Sequence, residues 1–230
     1  CKFQLITPGI DVETGAYISF GIPATILAHY LRDRHIIPEK CDLNTILFLM
    51  TPAETKEKME QLVSHLVEFE SLIDRDAPME EVLPYVCHRH WKAYEGYTIR
   101  QLCQEMHDFY KERNVSDLQK KLFLQDYFPD YVKTPQEANF DFVRGRGELV
   151  PVSETVGRIA LEGALPYPPG VICVQPGERW SETARDYFLE EGINRLPGFA
   201  PEIQGVYLQE QEDGTKKAFA YVLQESYESR

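Results

Sequence analysis

The chain contains no GxGxxG, no GxxxxGK[ST], no GxSxG and no HExxH. It therefore lacks the short motifs with which backbone amides cradle phosphates, a strained turn presents a serine, or a helix presents two zinc ligands. No apolar run approaches the roughly 18 residues that a membrane helix requires, so no membrane partner is expected. Basic residues are also short, with 24 Lys and Arg against 37 Asp and Glu and a net charge of −13. Phosphate backbones need clustered cations, which argues against a nucleic-acid partner. The acidic balance is ordinary for a cytoplasmic protein, and it could mildly concentrate a cationic small molecule. The five cysteines (Cys1, Cys41, Cys87, Cys103 and Cys173) are odd in number and without CxxC spacing. That pattern excludes a disulfide framework or zinc ribbon and fits reduced thiols in a cytoplasm.

What is present is a foldable chain of 230 residues, 43% hydrophobic and 12% aromatic, enough for one or two domains. The opening Cys1-Lys2-Phe3-Gln4-Leu5 is neither an initiator methionine nor a signal peptide, and it is expected to lie inside a strand of a longer polypeptide. "KFQLITPGI" reads as a strand ended by Pro8-Gly9. "PATILAHYLRDR" reads as a helix with Pro23 at its start and Ile26, Leu27, Tyr30 and Leu31 on one face. "NTILFLMT" has the continuous apolar character of a strand covered on both faces.

In "TPAE", Thr51 and Glu54 have capping-box spacing, followed by Met59, Leu62, Val63, Leu66, Phe69 and Ile73 at helical intervals. "DRDAP", Asp74 to Pro78, breaks that pattern and marks a domain boundary. Capping boxes recur at Thr98/Gln101 and Thr134/Glu137. The first opens a helix with Ile99, Leu102, Cys103, Met106, Phe109 and Tyr110 in a stripe, and a further helix is expected over Leu118 to Phe128. From "ELVPV" onward the texture turns to short strands, "GRIAL", "GVICVQ", "EIQGVYLQE" and "KAFAYVLQ", interrupted by the helix "SETARDYFLEEGINRL". The expected fold class is α/β followed by α+β.

Chemistry-bearing residues are few. "CHRHW", Cys87 to Trp91, holds three possible metal ligands without a partner pair at finger-like spacing, so no metal is expected. "RGRGE", Arg144 to Glu148, reads as a turn. Glu105 and His107 lie two apart on a helix and cannot act as a pair. Glu162 and Glu178 flank the stiff run "EGALPYPPGVICVQPGE" and could be read as an acid–base pair, although solvated surface carboxylates are the commoner case.

"LITPGIDVETGAY", "FGIPATILAHYLRDRHIIPEKCDLNTILFLMTPAE", "EGALPYPPGV" and "PGFAPEIQGVY" together resemble the C-terminal third of the bacterial ornithine/lysine/arginine decarboxylases, fold-type I enzymes that use pyridoxal 5'-phosphate. The resemblance covers essentially the whole chain. "PEKCDLN" and the Glu-Gly-Ala before "LPYPPG" look most like the ornithine branch, which converts ornithine to putrescine and CO2 in polyamine metabolism. The resemblance implies that residues 1–76 end the small α/β domain and that 77–230 form the family's C-terminal domain. It implies an amino-acid substrate, a homodimer or higher homo-oligomer, and a cytoplasmic location.

The family's cofactor lysine lies in a Ser-x-His-Lys segment that this chain lacks. The aspartate and histidine that hold the cofactor ring also lie upstream in the family. No catalytic and no cofactor-binding residue is therefore expected here, and the piece alone is expected to be inactive. One site residue is implied: the glutamate of "IIPEK", Glu39, facing the substrate's distal ammonium. Read from residues alone, Glu39 is an exposed loop carboxylate beside Lys40. "YFLEEGIN", Tyr187 to Asn194, departs from the family by a loss of about two residues, which places helix packing around Leu189 in question. The rival readings are a lysine or arginine decarboxylase of the same family and a non-catalytic assembly or binding module. "EGALPYPPGV" itself is read as architecture near a domain or subunit contact.

Overall fold

A computed structural model of the chain describes all residues except 168–169, 190–195, 200–201, 212–215 and 229–230. The altered stretch after Leu189 therefore lies mostly outside the described residues. The chain forms two compact units, Cys1–Arg113 with Leu196–Phe199, and Asn114–Arg195 with Ala200–Arg230.

The first unit grows from alternation in two short strands. β1 (Lys2–Ile6) and β3 (Thr45–Leu49) pair antiparallel, and β2 (Lys40–Cys41) pairs on the other edge of β3. Phe3 and Leu5 face Phe48 and Ile46 on one side, where Phe3 and Phe48 stack with ring centroids 5.1 Å apart. Helices α1 (Ala24–Arg32) and α2 (Lys56–Asp74) supply the same core with Ile26, Leu27, Tyr30, Leu31, Leu62, Phe69 and Ile73. The opposite face of β3 is open: Thr45 and Leu47 are half-buried and Leu49 is 50% exposed. A strand covered on both faces was expected; among the described residues helices cover one face of β3.

A second correction concerns the start of α2. The Thr51–Glu54 segment closes as a turn, with Glu54 N donating to Thr51 O. The helix instead begins behind Thr55, whose extended backbone lets its hydroxyl accept from Lys58 N at 3.4 Å. An N-cap oxygen four residues later satisfies an otherwise orphaned donor equally well.

Beyond α2, the chain turns at Asp76, which has φ +51° and whose carboxylate accepts from Arg100 N at 3.2 Å. Helices α3 (Met79–Val82), α4 (Pro84–Arg89), α5 (Trp91–Tyr94) and α6 (Ile99–Glu112) follow. Met79, Val82, Leu83, Val86, Ile99, Leu102 and Met106 belong to the same core as α1 and α2. Asp74–Pro78 therefore ends the α/β layer without ending the compact unit. The capping box at Thr98 and Gln101 forms as the spacing dictates.

In the second unit, α7 (Val115–Lys121) is shorter than the helix expected to reach Phe128; a single 3-10 turn at Gln125–Tyr127 follows it. The Thr134/Glu137 box opens α8 (Pro135–Val143). β4 (Gly147–Pro151), β7 (Tyr207–Glu210) and β8 (Lys216–Leu223) form an antiparallel sheet in the order β4-β8-β7, and β5 (Leu165–Tyr167) pairs with β6 (Glu202–Gln204). α9 (Glu182–Phe188) packs Phe188 edge-on against the buried Trp180, centroids 5.8 Å apart. "GRIAL" and "GVICVQ" are not strands. Ile159, Ala160 and Val174 are buried but make isolated bridges, to Arg179, Val222 and Ala164 respectively.

Candidate functional site

Glu39 is delivered by the exit from α1. Ile36 N closes the helix end on Leu31 O, His35 takes φ +62°, and Glu39 N then donates to Leu47 O at 2.8 Å, just ahead of β2. Its carboxylate forms an ion pair with the Lys2 ammonium of β1; the two side chains are 32% and 54% exposed. β1 and the residue just ahead of β2, on opposite sides of β3, thus contribute the pair. Beside this segment, Gln4, Lys40, Cys41, Asp42, Thr45 and Leu47 line a shallow depression of about 220 Å³. Cys41 lies at its buried end, where burial pushes the thiol up to about 11, so it remains protonated at neutral pH.

The carboxylates flanking the proline run are each engaged locally. Glu162 accepts from the Tyr207 hydroxyl at 2.7 Å, and that hydrogen bond, with burial, pushes the phenol up to about 12. Glu178 accepts from Gln175 N at 2.7 Å and so braces its own turn. The glycines explain the sequence of the run. A Cβ on Gly177 would lie 2.1 Å from Lys133 O, and one on Gly205 would lie 2.1 Å from Gly163 O. Backbone passes backbone at both places, and no side chain fits. Gly170 has φ +75° and donates to Pro166 O at 2.8 Å. In its described part the run is braced by these local bonds and close backbone passages; Pro168 and Pro169 lie outside it.

Among the described residues no cluster of three His, Cys, Asp or Glu is arranged to hold a metal. Cys87 is buried, which raises its thiol pKa. Glu105 and His107 part as their spacing requires: Glu105 accepts from the Tyr97 hydroxyl at 3.0 Å, while His107 is fully buried with Nε2 2.8 Å from Ile18 O. A Cβ on Gly21 would lie 2.2 Å from His107 Nδ1 and one on Gly9 3.3 Å from it. His107 thereby pins the Pro8–Gly21 loop to α6. The only sequence signal for this role is position: His107 lies four residues after Cys103 and directly after Met106, inside the apolar stripe.

Residues 1–58 match the family model described as Orn/Lys/Arg decarboxylase, major domain, and residues 116–224 match Orn/Lys/Arg decarboxylase, C-terminal domain. The chain belongs to the Orn/Lys/Arg decarboxylase family. Within it, the chain is 61% identical over 225 residues to an ornithine decarboxylase of Haemophilus influenzae, with 97% of this chain and 31% of that protein covered. It is 58% identical over 222 residues to an inducible ornithine decarboxylase of Lactobacillus sp., covering 96% of this chain and 30% of that protein. Lysine decarboxylase A from Pseudomonas aeruginosa superimposes with a TM-score of 0.88 at 32% identity, over 97% of this chain and 30% of that structure. The chain thus spans about a third of the length of these relatives. Among the described residues no helix is long and apolar enough to cross a membrane.

The family implies pyridoxal phosphate. Among the described residues no lysine side chain is buried. Lys133, the one described lysine in a buried ion pair, is committed to Asp141 at 2.7 Å. The depression beside Glu39 has no arginine and no helix N-terminus to receive a phosphate. These residues do not by themselves hold the cofactor.

Proposed function

We propose that the chain is the C-terminal portion of a pyridoxal-phosphate-dependent decarboxylase that converts L-ornithine to putrescine and CO2. One contrast carries the reading: identity of 58–61% to ornithine decarboxylases, against 32% to a lysine decarboxylase covering the same share of the chain. In this reading residues 1–76 end the small domain of a fold-type I enzyme and 77–230 form the family's C-terminal domain, the first helices of which, up to Arg113, share a compact unit with residues 1–76. The whole protein works in the cytoplasm as a homodimer or higher homo-oligomer. The cofactor supplies the electron sink for loss of CO2, and the residues that bind it lie outside those described here.

Glu39 is the proposed contribution of this chain to substrate recognition. A carboxylate opposite a desolvated ammonium makes a charge-assisted hydrogen bond and fixes the length of the chain that carries the ammonium. The Lys2 pair supports this, because an alkylammonium already rests on Glu39. Glu39→Gln in the intact enzyme is expected to preserve folding and cofactor absorbance while weakening kcat/KM for ornithine by roughly 10- to 150-fold, about 1.5–3 kcal/mol. A value within twofold of wild type would end the distal-amine role. Assay of the unmutated enzyme with lysine and arginine separately tests the ornithine assignment, which fails if either is used better.

A further inference from the structure

Four residues late in the chain, Leu196, Pro197, Gly198 and Phe199, belong to the first unit. Leu196 and Phe199 are buried in its core, and Phe199 N donates to Leu196 O at 3.1 Å, closing a tight turn. The socket that receives them is built from three helices. Tyr94 of α5 donates its hydroxyl to Pro197 O at 2.6 Å and meets the Phe199 ring edge-on at 6.2 Å. A Cβ on Gly198, at φ +91°, would lie 3.1 Å from both Val86 Cγ1 and His90 Cδ2, so the strap backbone lies flat against α4 and the residue after it. His29 of α1 meets Phe199 edge-on at 5.1 Å. The His29 and His90 imidazoles and the Tyr94 hydroxyl thus stand among the apolar side chains that form the seat.

We propose that Leu196–Phe199 is a pH-gated strap, seated while the His29 imidazole is neutral and released as that imidazole takes up a proton. The strap itself has no ionisable side chain. On α1 the charged neighbour of His29 is Arg32. Across the socket stand His90, Cys87 and Tyr94. From α2, Glu68 is directed to Arg34 and His65, and β2 brings the buried Cys41 with Lys40 and Asp42 beside it. Burial first, and Arg32 second, depress His29 from 6.5 to about 4. Among the described residues no carboxylate offsets these two causes.

The sign follows from linkage. A depressed imidazole pKa means that the released state binds the proton more tightly. Seating is therefore strongest above 6.5 and weakens as pH falls from 6.5 toward about 4. Taking 6.5 for the released imidazole, seating is about 20-fold weaker at pH 5 than at pH 7.

The test is amide hydrogen exchange of Phe199, whose N–H donates to Leu196 O, in the intact protein, its rate corrected to the intrinsic rate at each pH. Protection is expected to fall about 20-fold between pH 7 and pH 5, while Ala218 and Ala220 of β8 keep theirs. His29→Gln, which cannot charge, is expected to retain protection at pH 7 and lose the pH dependence. Flat protection in wild type, a fall shared equally by β8, or a fall that persists in His29→Gln would each overturn the proposal. Should that variant not fold, the His29 imidazole pKa measured by NMR in wild type decides, and a value at or above 6.5 overturns it.

Discussion

Gly205→Ala tests whether close backbone passage holds the second unit together. Gly205 links β6 to β7 at φ +75°, and its new Cβ would lie 2.1 Å from Gly163 O, 2.8 Å from Gly163 C and 3.4 Å from Ala164 Cα. An ordinary carbon–oxygen contact needs about 3.3 Å, so the strands must part by roughly 1 Å. That motion acts on the β5–β6 pair, whose register opens with Leu165 opposite Gln204. Two costs combine. The left-handed backbone alone costs an alanine about 1–2 kcal/mol, and displacing packed backbone adds about 1–3 kcal/mol. Gly145→Ala isolates the first cost, since Gly145 has φ +71° with nothing within 4 Å of its would-be Cβ. Urea unfolding followed by the buried Trp180, in a background with the exposed Trp91 changed to Phe, gives both losses from the midpoints at unchanged slope. Gly205→Ala is expected to lose at least 1 kcal/mol more than Gly145→Ala. Losses within about 0.5 kcal/mol of each other would refute the steric argument, because backbone conformation alone would then account for the glycine.

The Asp141 triad carries a second expectation. Burial pushes its carboxyl up, but hydrogen bonds from Lys133 and Arg146, each at 2.7 Å, outweigh burial and hold it below the usual range. Asp141→Asn is expected to cost about 2–3 kcal/mol at neutral pH. A depressed carboxylate stabilises above its unfolded pKa, so the gap from wild type should close as pH falls below about 4; a gap constant down to pH 2 contradicts the assignment. Glu162→Gln is expected to bring the Tyr207 phenol down from about 12 toward 10 by NMR, with kcat for ornithine within a few-fold of wild type. A hundredfold loss of kcat in a folded, assembled enzyme would restore an active-site role for Glu162.

Local chemistry was legible where it was unambiguous. Thr98/Gln101 and Thr134/Glu137 form the boxes their spacing describes, because each box closes within four residues. The start of α2 was not, since two threonines four apart both offer a capping oxygen. The signature favoured Thr51, which has Glu54 three residues on, yet the helix starts behind Thr55. Likewise, "GRIAL" and "GVICVQ" have the composition of strands, and Ile159, Ala160, Leu161, Cys173 and Val174 are buried, but their backbones pair with single residues. Burial is written in composition, whereas a ladder needs a partner strand in register. The "NTILFLMT" run shows the same limit: apolar content announced a strand, and only the docking of α1 and α2 decided which face was covered.

Glu39 is held more loosely than Asp141, Glu178, Glu105 and Glu162. Asp141 holds two cations at 7% side-chain exposure, Glu178 accepts from the backbone amide of its own turn, Glu105 accepts from Tyr97, and Glu162 accepts from Tyr207. Each of these bonds would have to break before an incoming ammonium could replace it. Glu39 has as its partner a lysine near the end of an edge strand, 54% exposed. An exposed pair of that kind is worth about 0–1 kcal/mol, and a desolvated charge-assisted contact about 1.5–3 kcal/mol. A substrate ammonium entering a closed site would therefore displace Lys2 with net gain. Lys2→Met should then leave kcat for ornithine unchanged and lower KM slightly, by removing the competitor. A large rise in KM in that variant would show instead that Lys2 holds Glu39 in place.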